Sequence, residues 1–201
     1  MPPGPIVARP ALPREWRELG RVLGEAFDDD PVWTWVCPDP VRRRRHLGNA
    51  FAHVIRDRVR CGWAWTVEGA DGAAVWAAPN RWRTRPVHAA RMALPMLRAT
   101  GLRGVGERLG ALARLEKRHP ATPHWYLEVI GSDPAMRGKG VGTALMQPML
   151  ERCDAEGMPA YLESSKEENL AFYGRFGFEV TEDLDLGPGA PPMWAMWREP
   201  R

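Results

Sequence analysis

Apolar residues recur at helical spacing in the first part of the chain. One set falls in residues 12–27 and predicts an amphipathic helix that ends at three aspartates and Pro31. A second set falls in residues 38–59 and predicts another helix, which carries four consecutive arginines at 42–45. The first apolar face consists of Trp16, Leu19, Val22, Leu23, Ala26 and Phe27, and the second of Val41, Leu47, Phe51, Val54 and Ile55.

The rest of the chain alternates between strand-like and helix-like segments. Residues 62–80 contain two β-rich runs joined by Glu-Gly-Ala-Asp-Gly, which predicts a hairpin. Residues 86–119 are rich in Ala, Leu, Met and Arg, and predict at least two helices. Residues 123–186 read as strand, helix, strand, short helix and strand, and a last strand closes the chain. This order predicts an α/β (α+β) fold with a mixed sheet.

Composition predicts one domain over residues 1–201. Hydrophobic residues make up 44% of the chain and charged residues 26%, which is typical of a soluble globular protein. The net charge is only +3, and the arginine block lies on a predicted amphipathic helix. We therefore interpret that block as a solvated helix face and expect no nucleic-acid or membrane partner.

Three cysteines, without Cys-x-x-Cys spacing, suggest neither a disulfide framework nor a zinc site. The five histidines show no metal-binding spacing, so no metal is expected. No leader-like segment and no apolar run of about 18 residues is present. These features predict a cytoplasmic protein, and they leave open whether it is a monomer or a homodimer.

The segment Arg-Gly-Lys-Gly-Val-Gly at 137–142 is the strongest candidate for a binding site. It lacks the first glycine and the Ser/Thr of a Walker A loop, and its two-residue glycine spacing does not fit the Rossmann fingerprint. Glycines that open a helix expose backbone N–H groups at the positive end of the helix dipole. Arg137 and Lys139 add positive charge, so the segment is predicted to bind a pyrophosphate.

Together with a second motif, this segment resembles the GNAT superfamily of acyl-CoA-dependent N-acetyltransferases. Arg137, Gly140 and Gly142 match the R/Q-x-x-G-x-G/A signature, and Ser132 stands where the family usually has a valine in V-x-P. Downstream, the N-x-x-F-Y-x-x-x-G-F element is matched by Asn169, Phe172, Tyr173, Gly177 and Phe178. The segments Leu-Gly-Glu-Ala-Phe-Asp-Asp-Asp-Pro and Pro-Ala-Tyr-Leu-Glu-Ser-Ser further resemble the branch that contains puromycin N-acetyltransferase.

The resemblance implies a mostly antiparallel twisted sheet with splayed central parallel strands, and acetyl-CoA as the co-substrate. It places the pantetheine and thioester carbonyl against the central strand at Ile130 and Ser132. It also makes Asn169 a cofactor contact. The pyrophosphate contacts implied by the resemblance are Arg137, Gly138, Lys139, Gly140, Val141, Gly142 and Thr143.

Two further side chains are candidates for catalysis. The resemblance makes Tyr173 the acid that protonates the CoA sulfur. Glu128, a charged residue inside an apolar strand, is the candidate base, and alternation places it on the same side of the sheet as Ile130. Glu163 and a water chain remain alternatives for the base. The cluster Glu25 and Asp28–30 could attract a cationic amine or could simply end a helix.

The predicted function is acetyl transfer to a primary amine of a small molecule. Direct attack in a ternary complex is implied, because no cysteine lies in the cofactor motifs to carry the acyl group. Two alternatives are acetylation of a protein lysine or N-terminus, and a non-catalytic sensor of acyl-CoA. Residues 81–119, the segment least like the family, are expected to shape the amine pocket.

Overall fold

The computed structural model describes residues 4–83 and 86–201, which form one seven-stranded sheet with helices on both faces. The helices are α1 (Trp16–Ala26), α2 (Pro31–Val36), α3 (Pro40–Val59), α4 (Pro86–Thr100), α5 (Val105–Arg118), α6 (Val141–Glu156) and α7 (Leu170–Gly174). The strands are β1 (Ala8–Pro10), β2 (Ala64–Val67), β3 (Gly72–Ala77), β4 (Trp125–Ser132), β5 (Ala160–Ser164), β6 (Glu179–Leu184) and β7 (Met193–Arg198).

The sheet has the order β1-β2-β3-β4-β5-β7-β6. Strands β4 and β5 are parallel, and the other neighbouring pairs are antiparallel. The two parallel strands are connected through α6, which is the crossover helix that parallel pairing requires. The prediction of a mixed, mostly antiparallel sheet flanked by helices is therefore confirmed.

The parallel pair separates along its length. Pairing between β4 and β5 covers only residues 125–127 of β4, although β4 continues to Ser132. From residue 129 to Ser132, β4 is paired only with β3 on its other side. The outer half of β4 therefore has an open edge toward β5, as the predicted splay requires.

A bulge in β4 lies at Glu128. Val75 of β3 pairs with Val129, but the next residue, Trp76, pairs with Leu127, so Glu128 is an extra residue. As a result, Leu127 and Val129 pack in different core clusters, although regular alternation would put them on one face. Ile130 packs with Leu127, whereas the Glu128 side chain reaches α3. The expectation that Glu128 and Ile130 share a face of the sheet was therefore wrong.

The two faces of the sheet carry different helices. Helix α6 packs on one face through an apolar cluster that includes Leu145, Met146 and Met149. Helices α1 and α3 cover the other face next to β2 and β3. Beside them, α2 and α5 pack over β5, β6 and β7 on that same face. The site lies where the open edge of β4 meets these helices.

Two local features differ from the sequence-based expectations. Pro31 begins α2 rather than only ending a helix, because Asp30 accepts hydrogen bonds from the backbone N–H groups of Val32 and Trp33. Within the four-arginine block, Arg43 is buried and donates to the backbone carbonyl oxygens of Asp28 and Cys37. The other three arginines of the block are exposed, as expected for a solvated helix face.

Candidate active site

A cavity of about 590 Å³, here called the loop cavity, lies between the glycine segment, the end of β4 and α7. Lys139 is outside its walls, with its Nζ 3.7 Å from the Sδ of Met136. All the other residues predicted to contact the cofactor line the loop cavity: Ile130, Ser132, Arg137, Gly138, Gly140, Val141, Gly142, Thr143 and Asn169.

The glycine segment forms a cradle at the start of α6. Gly138 and Gly140 have φ values of 76° and 92°, a left-handed conformation that L-residues with a side chain rarely adopt. A Cβ at either position would have no neighbour within 4 Å, so the backbone there is open to a ligand. Helix α6 begins at Val141, and the first N–H groups of a helix lack intrahelical acceptors. The cradle therefore presents backbone donors and the positive end of a 16-residue helix to an anion.

Charged side chains surround the mouth of the loop cavity. Arg137 donates to both oxygens of Asp29 at 3.0 and 3.2 Å, and Lys166 donates to Asp29 at 2.8 Å. The hydrogen bonds from Arg137 and then Lys166 lower the pKa of Asp29 to about 2. Arg175 and Glu168 also line the cavity. The Asp29 carboxylate thus pairs with Arg137 and Lys166, which are two of the cations that an anion entering the loop cavity would contact.

Tyr173 and Asn169, one helical turn apart, both line the loop cavity. The Tyr173 ring is buried and contacts Phe172 and Phe178 edge-on. Burial, with a further contribution from the negative charge of Asp30, raises the pKa of Tyr173. The phenol therefore stays protonated at neutral pH.

A smaller cavity of about 200 Å³, here called the strand cavity, occupies the space between the separating strands β4 and β5. It shares Tyr173, Asn169, Ile130, Asp30 and Phe27 with the loop cavity. Asp30 is buried there, and its second carboxylate oxygen accepts a hydrogen bond from the Ser165 hydroxyl. The strand cavity therefore continues the loop cavity past Tyr173 toward the centre of the sheet.

Glu128 lines the far side of the strand cavity and is paired with Arg58 of α3. The Nε and Nη2 of Arg58 each donate 2.6 Å to a different oxygen of the carboxylate. Burial raises the pKa of Glu128 above its ordinary value, and the pairing with Arg58 opposes that rise. Each carboxylate oxygen retains a second lone pair with which to accept a proton or a hydrogen bond.

Glu163, the alternative base, lies near Glu128 in a network of buried polar groups. The Tyr126 hydroxyl donates 2.6 Å to Oε2 of Glu163, and Nδ1 of His119 is 3.8 Å from Oε1. The Nε2 of His119 is in turn 2.8 Å from the Nε2 of His124. Among the residues that the structure describes, no lysine or arginine pairs with Glu163.

A third cavity of about 270 Å³, here called the helix cavity, lies under α3, α4 and α5. Both Glu128 and Glu163 line it as well as the strand cavity, so the three cavities adjoin one another through shared walls. Its walls include residues of the 81–119 segment, which was expected to shape the amine pocket: Trp82, Met92, Met96, Leu112, Leu115, Glu116 and His119.

The acidic cluster near the end of α1 is bound by the protein's own groups. Glu25 pairs with Arg21, Asp28 with Arg43 and Arg44, and Asp29 with Arg137. The charges of Glu25, Asp28 and Asp29 are thus each compensated by an arginine of the same chain.

Within the described ranges, 4–83 and 86–201, no group of three or more His, Cys, Asp or Glu side chains could hold a metal ion. None of the described helices has an apolar stretch of the length needed to cross a bilayer.

Sequence reasoning missed three residues that contact the two candidate bases: Arg58, Tyr126 and His119. It named Asp30 only as a member of the acidic cluster, not as a buried residue of the strand cavity. Arg58 lies 70 positions before Glu128, so no local pattern connects them. Tyr126 could have been found, since it precedes Glu128 by two positions in one strand and alternation puts both on one face.

Comparisons with known proteins agree with this fold. A curated relative, an uncharacterized N-acetyltransferase of Schizosaccharomyces pombe, is 26% identical over 208 residues, covering 97% of this chain and 84% of the relative. The structure of Corynebacterium glutamicum histone acetyltransferase HPA2 and related acetyltransferase gives a TM-score of 0.69 at 23% identity, covering 98% of this chain and 97% of that one.

Two further solved structures share the fold at lower identity. Drosophila melanogaster polyamine N-acetyltransferase, which forms N-acetylagmatine, gives a TM-score of 0.62 at 16% identity, covering 97% of this chain and 100% of its own. The PaiA N-acetyltransferase of Thermoplasma acidophilum, solved with coenzyme A, gives 0.57 at 10% identity, with coverages of 98% and 99%.

The family itself is identified by sequence. A model of the acetyltransferase (GNAT) family matches residues 75–178, which is just over half of the 201-residue chain and includes β4, the glycine cradle and α7. The chain therefore belongs to the acetyltransferase (GNAT) family of enzymes.

Proposed function

We propose that this protein transfers an acetyl group from acetyl-CoA to a primary amine of a small molecule, by direct attack in a ternary complex. One observation carries the proposal. An anion-binding cradle and an apolar cavity with buried carboxylates are joined through the open edge of β4, beside Tyr173. Each substrate thus has its own cavity, and the two cavities meet at a site with both an acid and a base.

The loop cavity fits the cofactor end of the reaction. The N–H groups of the cradle, at Gly138 and Gly140 to Thr143, would hold the pyrophosphate with Arg137 at the rim. Gly142 leaves just enough room for this arrangement, because a Cβ there would come within 3.2 Å of the Phe172 ring. Asn169 and Ile130 would contact the pantetheine where the loop cavity continues into the strand cavity.

The open edge of β4 would stabilise the reacting carbonyl. Beyond residue 129 this edge is not paired with β5, so backbone N–H groups that point toward β5 are available as donors. A preorganised donor aimed at a developing oxyanion contributes about 3 kcal/mol to lowering the barrier. Ile130 and Ser132 remain the proposed positions for these contacts.

The reaction needs two proton transfers, one from the amine and one to the thiolate, and Glu128 and Tyr173 are the residues proposed for them. Burial raises the pKa of Glu128 toward the range useful to a general base, and Arg58 fixes the plane of its carboxylate. Tyr173, held protonated by burial, would donate its proton to the departing thiolate. Both residues line the strand cavity, which Tyr173 shares with the loop cavity on the proposed cofactor side and Glu128 shares with the helix cavity on the proposed amine side.

Direct attack is supported by the positions of the cysteines. Burial raises the pKa of Cys37 to about 11 and that of Cys153 to about 12, so neither forms a thiolate readily. Cys61 is exposed, and none of the three lines the loop, strand or helix cavity. No thiol is therefore placed to carry an acyl intermediate.

The test is release of free thiol from acetyl-CoA in the presence of a panel of amines, alongside a direct measurement of CoA binding. We expect amine-dependent thiol release and an acetylated product of the added mass. CoA binding without turnover of any amine would favour a non-catalytic acyl-CoA sensor. Turnover of a lysine peptide or protein N-terminus, but not of small amines, would favour the protein-acetylating alternative.

A further inference from the structure

The helix cavity is lined mainly by apolar and aromatic side chains. Helix α3 contributes Phe51 and Val54, α4 contributes Met92 and Met96, and α5 contributes Leu112 and Leu115. Its volume of about 270 Å³ lies at the small end of the range for ligand pockets. Such walls favour a compact, apolar ligand body that displaces water.

Three aromatic rings add shape to this cavity. Trp33, Trp82 and Tyr126 all line it. Trp82 is stacked on His119 with ring centroids 3.7 Å apart, which fixes one wall. Flat rings attract both a hydrocarbon body and an adjacent cationic group.

The carboxylates of the helix cavity have different roles. The negative charge of Glu128 is already compensated by the two-point contact with Arg58. Glu116 is exposed on α5. Glu163 is different: its side chain is 6% exposed, and none of the described lysines or arginines pairs with it. Its basic neighbour among the described residues is His119, whose Nδ1 is 3.8 Å from Oε1, so this buried carboxylate lacks a lysine or arginine partner.

Glu163 also lies at the correct end of the cavity for the reaction. It lines the strand cavity together with Tyr173 and Ile130, as well as the helix cavity. An ammonium group held at Glu163 would face the open edge of β4, with its hydrocarbon body directed among α3, α4 and α5. A second cation on the same ligand would lie among apolar side chains or reach the solvent-exposed Glu116, and an exposed ion pair compensates little for lost hydration.

We infer that the acceptor is a hydrophobic monoamine, such as an alkylamine or arylalkylamine, whose ammonium group binds at Glu163. This inference rests on the proposed function and specifies its substrate class. It differs from the polyamines and the N-acetylagmatine product named for the Drosophila polyamine N-acetyltransferase, whose structure shares the fold.

The experiment compares hexylamine with 1,6-diaminohexane, which have the same length and differ by one charge. With saturating acetyl-CoA, we expect kcat/KM for hexylamine and phenethylamine to exceed that for 1,6-diaminohexane and agmatine by at least about tenfold. An equal or higher value for the diamine or agmatine would overturn the inference while leaving the proposed function intact. Failure to acetylate any amine would defeat the proposed function, and the inference with it.

Two variants locate the ammonium group. Glu163→Gln preserves an acceptor for the Tyr126 hydroxyl, and we expect it to reduce kcat/KM for hexylamine at least about tenfold, mainly through KM, without changing CoA affinity. Glu182→Gln, an exposed carboxylate on β6, is the matched control and should have no such effect. If Glu116→Gln produces the loss and Glu163→Gln does not, the ammonium group lies elsewhere and the inference is wrong.

A gain-of-function variant gives a result even if Glu163→Gln folds poorly. Met92 lines the helix cavity but not the strand cavity, so Met92→Glu adds a carboxylate away from the reacting end. We expect it to increase kcat/KM for 1,6-diaminohexane relative to hexylamine by at least about fivefold. An unchanged ratio in a folded variant that still turns over hexylamine would contradict the proposed orientation of the amine.

Discussion

Arg58 and Glu128 form a two-point ion pair between α3 and the bulge of β4, with both N–O distances at 2.6 Å. The planar guanidinium fork matches the carboxylate, so the pair fixes the direction of the Glu128 oxygens as well as their charge. The side chains are 14% and 13% exposed, so the pair is largely removed from water. This pair makes the stability of the protein and the properties of the proposed base depend on each other.

Removal of Arg58 should therefore destabilise the protein in a pH-dependent way. Arg58→Gln leaves a buried carboxylate without its cation, which costs about 3–5 kcal/mol of unfolding free energy. The folded-state pKa of Glu128 is already raised, so its contribution to stability is full below its ordinary pKa and is lost as pH rises through the raised value. Because the variant raises that pKa further, urea unfolding should show a larger loss relative to the parent protein at pH 8 than at pH 5. An equal loss at both pH values would contradict this account.

Replacement of Glu128 should affect the chemical step. We expect Glu128→Gln to lower kcat by about 100-fold or more and to remove the acidic limb of the pH–rate profile, because the proposed base is lost. Glu151→Gln, on the exposed surface of α6, is a control that should leave both unchanged. An acidic limb that persists at the same pH in Glu128→Gln would assign the base to Glu163 or to a water chain.

Tyr173→Phe should separate catalysis from folding. The described residues form no hydrogen bond with the Tyr173 hydroxyl, so its removal should change the free energy of unfolding by less than about 1 kcal/mol. We expect kcat to fall about 100-fold, with CoA affinity retained. Because the pKa of Tyr173 is raised, the parent enzyme should show no loss of rate from ionisation of this phenol up to about pH 9. An unchanged kcat in the variant would remove Tyr173 as the acid.

The cradle can be tested with two glycines of the same backbone conformation. Gly140→Ala and Gly157→Ala each place a side chain at a left-handed position with no neighbour within 4 Å, so each should cost about 1 kcal/mol of stability. Only Gly140 lies at the cradle, since Gly157 ends α6. We expect CoA affinity, measured by calorimetry, to fall at least about tenfold for Gly140→Ala and to be retained in Gly157→Ala. Equal affinities would mean that the cradle does not bind the pyrophosphate.

Asp29 should limit CoA affinity by holding cations at the mouth of the loop cavity. Asp29→Asn frees Arg137 and Lys166, so we expect severalfold tighter CoA binding with a steeper dependence on salt. Because Asp29 is half-exposed, the change in stability should be within about 1 kcal/mol. The pKa of Asp29 is about 2, so the difference in affinity should be constant from pH 5 to pH 8 and should fade only under strongly acidic conditions. Asp183→Asn on exposed β6 is the control, and weaker binding by Asp29→Asn would contradict the prediction.

The parts of the molecule that sequence predicted are those encoded within short segments. The cradle is contiguous from Arg137 to Thr143, and its glycines show their backbone requirements directly. The mixed, mostly antiparallel sheet flanked by helices followed from local periodicity together with the family resemblance. Nearly all the predicted cofactor contacts therefore line one cavity, although their binding roles stay predictions.

The parts that sequence did not predict depend on contacts between distant segments. Arg58 is one of several arginines on α3, and no local sequence pattern distinguishes it from the others. Its pairing with Glu128 depends on how α3 packs on the sheet. The extra residue at Glu128 is not marked by glycine or proline, so regular alternation was the natural expectation. Buried polar networks such as that of Glu163 and His119 likewise arise only when separate elements meet.

The bulge in β4 has a consequence for how this protein can vary. It allows one strand to direct Glu128 toward α3 and Ile130 toward α6, two positions apart. Deletion of either Glu128 or Val129 would restore regular pairing, with Leu127 and Ile130 still facing α6 and one side chain instead of two left on the face toward α3. Substitutions in α3, α4 and α5 can reshape the helix cavity, but the length of this segment of β4 must be conserved for Glu128 and Val129 both to face the α1 and α3 side of the sheet.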